Sequence, residues 1–399
     1  MIKFLGIQIF TTYMSKVLRS AVIGGGVAGL TLSLGLRDST LFDSGEYHIY
    51  QPSLLYTSLY GKDERKRSII KIYRGDFKNE EVKKIDLDER KIITNKNEYI
   101  YEKVIVCTGT SPDPGSIEGL GRLIDESGDF VSSYANAMKV YSRISSMKSG
   151  TIVTGITYPV YRFPPVAIEF TILLEEILRK RGMKKNFEIK FISPFIGAYP
   201  ARVMDSVLTP IMKERGIEII SPFNVDRIDV NKREIYSLEG DSLSYDHAFL
   251  VPPFRGTDII DKCINEDGFI NTDKEKLNIK GYDDAFALGD VTSIPSAKSG
   301  ATAYLEAKTL LRRLKGEDIL YDGRTNCPIY VGDRKATFVV SNYRHEALRI
   351  YPRRSYYYAR KFLDMFYFYL IRHTGCIDSY LRRFDPERFR SQVHIQQGP

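Results

Sequence analysis

A chain of 399 residues exceeds the usual size of one domain, so two or three packed cores are expected. Hydrophobic residues at 43% and charged residues at 27% describe a folded globular protein and argue against a disordered or fibrous one. The formal net charge of +8 says less by its sum than by where the basic residues fall.

Cys107, Cys263, Cys327 and Cys376 stand far apart and form no CxxC pair, which argues against a disulfide scaffold, a zinc ribbon or a local redox dithiol. The five histidines have no ligand-like spacing, so no metal site is expected. No apolar run reaches the roughly 20 residues that span a bilayer. Met1 to Thr12 is mildly apolar without a signal-peptide cleavage site, and Met14, opening the basic stretch to Arg19, is a candidate start.

In chain order, Ser20 to Ile23 reads as a short buried strand, followed by a glycine turn and a helix to about Arg37. Thr40 to Asp43 is a second strand, Lys91 to Ile100 alternates like a hairpin strand, and Lys103 to Val106 is buried. Ser111 to Gly115, with two prolines, exits this first unit. A second unit follows, with a strand at Thr151 to Thr154 and a strongly periodic helix from Val166 to Lys180. It continues through a strand at Phe187 to Ile192, a helix from Ala201 to Arg215 and a strand at Ile217 to Ile220. From Ala285 to Leu311 a strand, a Gly-Asp turn and a helix return to the first unit.

This alternation predicts an α/β protein with two Rossmann-like three-layer domains. Residues 18–115 and 275–324 form the first, 116–274 the second, and 325–399 a C-terminal region with an aromatic, basic tail.

The first chemical signal is the glycine turn, in which Gly24, Gly26 and Gly29 give GxGxxG between strand and helix, with Ala28 inside it. Gly24 permits the tight turn, Gly26 admits a pyrophosphate to the backbone, and Gly29 lets helix and strand pack closely. The helix start offers unpaired N–H groups to phosphate, and Asp43 ends the second strand where a carboxylate meets ribose hydroxyls. Dinucleotide binding follows from strand, turn, helix and acid together.

Two later segments resemble the ATG and GD motifs of FAD-dependent pyridine nucleotide-disulfide-type oxidoreductases: Val104 to Pro114, with Thr108-Gly109, and Ala285 to Ala307, with Gly289-Asp290. The resemblance implies FAD as cofactor, Asp290 on its ribityl chain, and a helix starting near Ser299 aimed at the flavin pyrimidine ring. Asp290 as a plain helix cap is the structural alternative.

Within that superfamily the chain resembles the sulfide:quinone oxidoreductases and their flavocytochrome relatives. The likeness rests on His48 to Tyr56 with Gly61 beyond, on Gly155 to Glu169, and on Pro295 to Gly300 with Lys298. It implies Cys327 facing the flavin, Glu169 as an acid that shuttles protons to a quinone, and Lys298 neutralising reduced flavin. Against these stand an inert buried thiol, a solvated helix carboxylate and a surface lysine. Cys107 is expected in the core.

Two departures matter. Sulfide-oxidising members place a cysteine immediately before Pro-Pro where this chain has Phe163, so Cys327 has no partner for an intramolecular disulfide. An NADH-using relative needs a second GxGxxG after Thr154, where this chain reads Gly155-Ile-Thr-Tyr158-Pro159 and then Val160-Tyr161.

In the tail, Tyr358, Phe362, Met365, Phe366 and Tyr369 fall on one helical face. Arg353, Arg354, Arg360, Lys361 and Arg372 supply basic flanks, and Arg382, Arg383, Arg388 and Arg390 follow. This predicts docking on a lipid surface, with packing on the core or a dimer interface as the alternative. Nucleic acid is not expected, because no binding fold accompanies the basic tail. The expectation is a monotopic flavoprotein on the cytoplasmic face, passing electrons from a small reductant to a membrane quinone, with homo-oligomerisation left open. Phe338 and Tyr343 are candidates for a quinone pocket. A non-catalytic flavoprotein paralogue is the second reading and an NADH:quinone oxidoreductase the third.

Overall fold

The computed structural model describes residues 17–61, 69–71, 76–159, 165–345 and 348–373. Met1 to Thr12, Met14, Val160, Tyr161, Phe163, Cys376 and the arginines beyond residue 380 lie outside them.

The first sheet grows from four short apolar strands and one mixed one. These are β1 (Ser20–Ile23), β2 (Ser39–Asp43), β3 (Asp76–Asn79), β4 (Val104–Val106) and β5 (Ala285–Ala287). All pairs are parallel, in the order β5-β4-β1-β2-β3, with Ala21 opposite both Thr40 and Val104. Both faces of the sheet are covered, which is why β1 and β4 read as continuous apolar runs instead of alternating. The helix α1 (Val27–Gly35) leaves the end of β1 through the glycine turn.

The second sheet is also parallel. Its order is β9-β8-β7-β10, from β7 (Gly150–Ile156), β8 (Phe187–Ile192), β9 (Ile217–Ile220) and β10 (His247–Val251). Helix α4 (Val166–Lys180) is buried without a break from Val166 to Leu178, so it is a central helix and not a surface one. Two carboxylates near its end are compensated: Arg215 reaches Glu175 at 2.7 Å, and Lys180 pairs with Glu176.

Helices α2 (Pro52–Tyr60) and α3 (Tyr134–Ser146) pack on each other beside α4. The chain then supplies α5 (Gly300–Leu314), the antiparallel pair β11 (Thr325–Tyr330) and β12 (Ala336–Ser341), and the long α6 (Arg354–Arg372). One apolar cluster runs from Leu55 of α2 through Phe170 of α4 and Phe191 of β8 to Cys327 and Ile329 of β11. That cluster fixes β11, and through Tyr356 and Tyr357 the start of α6, against α2, α4 and the second sheet. Among the described residues no helix is long and apolar enough to cross a membrane, and no cluster of His, Cys, Asp or Glu is arranged to hold a metal.

Candidate functional site

A cavity of about 390 Å³ lies at the carboxyl ends of the first sheet's strands, where ligands bind in open parallel sheets. Its floor is the glycine turn. Gly24 has φ +103°, and a Cβ there would sit 2.5 Å from the Cys107 carbonyl oxygen. A Cβ on Gly29 would sit 1.9 Å from the Gly24 carbonyl oxygen, so glycine is required for α1 to approach β1. Gly26 is different. A Cβ there would meet nothing nearer than 4.0 Å, which leaves its backbone open to the cavity. Gly26 is also the N-cap of α1 with no side-chain cap, so the helix's first N–H groups face the cavity without a protein acceptor there.

Asp43 holds this turn in place: its carboxylate accepts from the Gly25 N–H at 2.6 Å and the Gly45 N–H at 2.7 Å. It lines the cavity, as do Ala28, Thr108, Gly109, Gly289 and Asp290. The Gly289 N–H donates to Glu306 at 2.6 Å, and burial pushes that fully enclosed carboxyl up to about 7. Sequence reading missed Glu306, because on α5 it looks like any helix acid. Ser299 caps α5 and accepts from the Thr302 N–H at 3.2 Å. Lys298 is half-buried; its ammonium donates to the Thr292 and Ile294 carbonyls, and burial draws its pKa down while Asp290 and Glu306 oppose this. A freely solvated surface lysine it is not.

Glu169 and Asn326, both lining the cavity, carry buried polar atoms without a hydrogen-bond partner. Glu169, in the first turn of α4, is wholly enclosed, and neither carboxyl oxygen completes a hydrogen bond. Burial raises it to about 7, against the pull of Arg360 and the nearby Tyr330 backbone amide. The solvated carboxylate is thereby excluded. Asn326, on β11, leaves both its amide nitrogen and its oxygen unpaired at 2% exposure. Each such group costs on the order of 1–3 kcal/mol unless a ligand completes it. No motif flagged Asn326. Beside it, Cys327 is buried, its thiol donates to Ser299 Oγ at 3.3 Å, and burial pushes its pKa up, so it rests as a thiol. Cys107 is in the core as expected, at the cavity floor.

The remaining wall is α6. Arg360, Leu363, Tyr367 and Ile371 line the cavity. Arg360 is a correction to the sequence reading, which placed it on a basic outer flank. It is 3% exposed, donates to the Pro328 carbonyl at 2.8 Å and pairs with Asp364 at 2.9 Å. Asp364 also accepts from Tyr56 at 3.0 Å, from Tyr330 at 3.1 Å and from Tyr50. The Asp364 carboxylate thus compensates the enclosed guanidinium, and three tyrosines from distant segments satisfy the carboxylate in turn. His48, lowered to about 4 by burial and therefore neutral, lies between the Gly25 carbonyl at 3.1 Å and the Tyr367 hydroxyl at 2.8 Å.

The opposite face of α6 is bare. Tyr358, Phe362, Met365, Phe366 and Tyr369 are the exposed aromatic and apolar residues of this helix, as its spacing predicted. Phe338 and Tyr343 are elsewhere: Phe338 is core against Tyr356, and Tyr343 packs on Tyr321, so neither lines the cavity.

In the second unit's turn, the described residues 155–159 do not repeat the first one's opening. Gly155 has φ +138° and a Cβ there would strike Ile192 at 2.1 Å, so this glycine serves strand packing. Thr157 closes back on the Val251 carbonyl at 2.8 Å, and Tyr158 projects outward where further glycines are needed.

Residues 18–155 match the pattern of the family described as pyridine nucleotide-disulphide oxidoreductase. The mitochondrial sulfide:quinone oxidoreductase of Dictyostelium discoideum is 25% identical over 84% of this chain and 79% of its own length. A type II NADH:quinone oxidoreductase of Staphylococcus aureus is 24% identical over 74% of this chain and 82% of its own. The sulfide:quinone oxidoreductase from Aquifex aeolicus shares the fold, with a TM-score of 0.75 at 19% identity, covering 89% of this chain and 91% of that one. The open glycine turn, the acid that braces it and the orphaned Glu169 and Asn326 atoms fit a bound dinucleotide, and the cofactor is FAD.

Proposed function

We propose that this chain, an FAD-binding oxidoreductase resembling the sulfide:quinone oxidoreductases, passes two electrons from a small reductant to a membrane quinone while resting on the lipid surface. The observation that carries this is the double role of α6. One face walls the cavity through Arg360, Leu363 and Tyr367, while the other presents five bare apolar or aromatic side chains. A helix that is both cavity wall and interfacial anchor gives a lipid-dissolved acceptor a short path to the site. Arg353, Arg354, Lys361 and Arg372 are exposed along it and suit anionic headgroups.

In this reading residues 18–115 and 275–324 bind FAD, 116–274 form the second domain, and 325–399 close the cavity and dock. Gly26 and Ala28 receive the pyrophosphate at the turn that Gly24 and Gly29 make possible, Asp43 the ribose, and Thr108, Gly109, Gly289 and Asp290 the rest of the cofactor. FAD, when bound, supplies two-electron acceptance and release. Glu169 is protonated below about pH 7 and so holds a proton for the acceptor oxygen in an otherwise water-poor pocket. Lys298 places positive charge where reduced flavin is anionic. Cys327 is the one cavity-lining thiol whose place matches a redox cysteine, and Phe163 stands where its partner is expected. Sulfide would have to react through Cys327 alone, and we favour a donor other than sulfide.

Anaerobic addition of sulfide and of NADH to the purified flavoprotein, followed by a short-chain quinone, tests the reading. Bleaching by sulfide reversed by quinone assigns the donor. Bleaching by NADH favours the third reading, against the lack of a second GxGxxG after Thr154. Bleaching by dithionite but by neither donor widens the donor screen or favours a non-catalytic paralogue.

A further inference from the structure

Asn326 is held where it is by its neighbours. It sits opposite Val340 in the β11–β12 pair, and both flanking residues are tied to the start of α5. The Thr325 hydroxyl meets Thr302 Oγ1 at 3.0 Å, and the Cys327 thiol meets Ser299 Oγ at 3.3 Å. The backbone carrying Asn326 is thus pinned beside the N-terminus of a 15-residue helix. Its side chain lines the cavity with donor and acceptor both unpaired.

The chemistry of a carboxamide selects among ligand groups. Its NH2 gives and its carbonyl receives, side by side in one plane. A phosphate offers only acceptors and would leave the Asn326 oxygen facing negative charge. A quinone carbonyl also only accepts. A sugar hydroxyl answers one end at a time. A cyclic imide answers both at once, because its N–H lies next to a carbonyl in the same plane.

We infer that Asn326 binds the imide edge of the flavin ring, donating from Nδ2 to a ring carbonyl and accepting the ring N3–H at Oδ1. Asn326 is then a cofactor-recognition residue that relieves its own burial only when the flavin is in place. This rests on FAD as the cofactor and not on the identity of donor or acceptor.

The test is a fluorescence titration of the full chain, stripped of cofactor, with FAD and with 3-methyl-FAD, whose N3 carries no hydrogen. Wild type is expected to bind 3-methyl-FAD roughly 10- to 100-fold more weakly than FAD, from the loss of one buried hydrogen bond and the crowding of another. Asn326→Leu is expected to bind FAD about 10-fold more weakly and to lose most of that preference. Its cofactor-free form should melt no lower than wild type, because the substitution removes two orphaned polar atoms. Asn326→Asp serves as the second variant, expected to weaken FAD through carboxylate–carbonyl repulsion while keeping the preference for N3–H. Wild-type FAD affinity and wild-type preference in either variant would overturn the assignment. So would unchanged flavin affinity with a raised KM for quinone, which would move Asn326 to the second substrate. No donor or quinone enters the titrations, so their failure is separable from failure of the electron route.

Discussion

The two parallel sheets end in turns that start from the same plan and finish differently. After β1, Gly24 and Gly29 clear the way for a close helix while Gly26 leaves backbone facing a cavity. After β7, Gly155 packs against Ile192 and the chain runs on into Tyr158-Pro159. Among the described residues, the helix that follows brings no phosphate cradle to the site. It brings Glu169, enclosed and unpaired, from its first turn. A duplicated topology therefore does not imply duplicated ligands: the first unit is shaped by what its turn admits, and the second by one side chain it delivers.

The first turn offers the most drastic way to break this contrast. Gly29→Val places atoms on the Gly24 carbonyl, and the expected result is a chain purified without flavin absorbance and destabilised by roughly 3 kcal/mol or more, read by absorbance and melting. Glu169→Gln comes next. Quinone-dependent turnover should fall on the order of 100-fold, with FAD retained.

The same variant has a pH signature. Burial moves Glu169 from the ordinary 4.5 up to about 7, so the folded chain keeps a proton that the unfolded chain releases within that window. Its contribution to stability is full below about pH 4.5 and is lost as the pH rises through 7. Glu169→Gln should therefore melt higher than wild type at pH 8 and show little gain at pH 4.5, by an amount on the order of 1–3 kcal/mol. Equal differences at both pH values would contradict an enclosed acid.

A smaller effect is expected on the outer face of α6. Phe362→Asp combined with Met365→Asp should cut binding to anionic vesicles about 10-fold or more, in a sedimentation assay, and leave flavin absorbance intact. The smallest is no effect: Tyr158→Ala should not confer reduction by NADH, because one alanine does not supply the missing glycines. Gained NADH reduction would show that the second turn is only masked.

Much of this was legible in sequence where local pattern decides. The strands Ser20–Ile23 and Phe187–Ile192 and the helix Val166–Lys180 have the limits their periodicity suggested, since each is an apolar run between turn residues. The segment Lys91 to Ile100, read as one strand, is the two arms of a hairpin, Lys91–Thr94 and Glu98–Ile100, because Asn95 to Asn97 turn the chain. Helix α2 was hidden inside a segment recognised only by likeness. Arg360 was misplaced for a clearer reason. Its charge is met by Asp364 one turn away, but the pair is enclosed by Tyr50, Tyr56 and Tyr330, which donate to Asp364 from three places brought together only by the fold, so its sequence neighbourhood of exposed basic residues misleads. Asn326 and Glu306 were invisible for the same reason, because enclosure is a tertiary property.

Discharge of flavin in this cavity to a quinone can be tested without knowing the donor. The full chain would be reduced with stoichiometric dithionite under anaerobic conditions and mixed with a short-chain quinone, following flavin absorbance. Prompt return of the oxidised spectrum is expected, slowed on the order of 100-fold in Glu169→Gln. Flavin that stays bleached beside excess quinone would contradict it and leave a flavoprotein that binds its cofactor without passing electrons on.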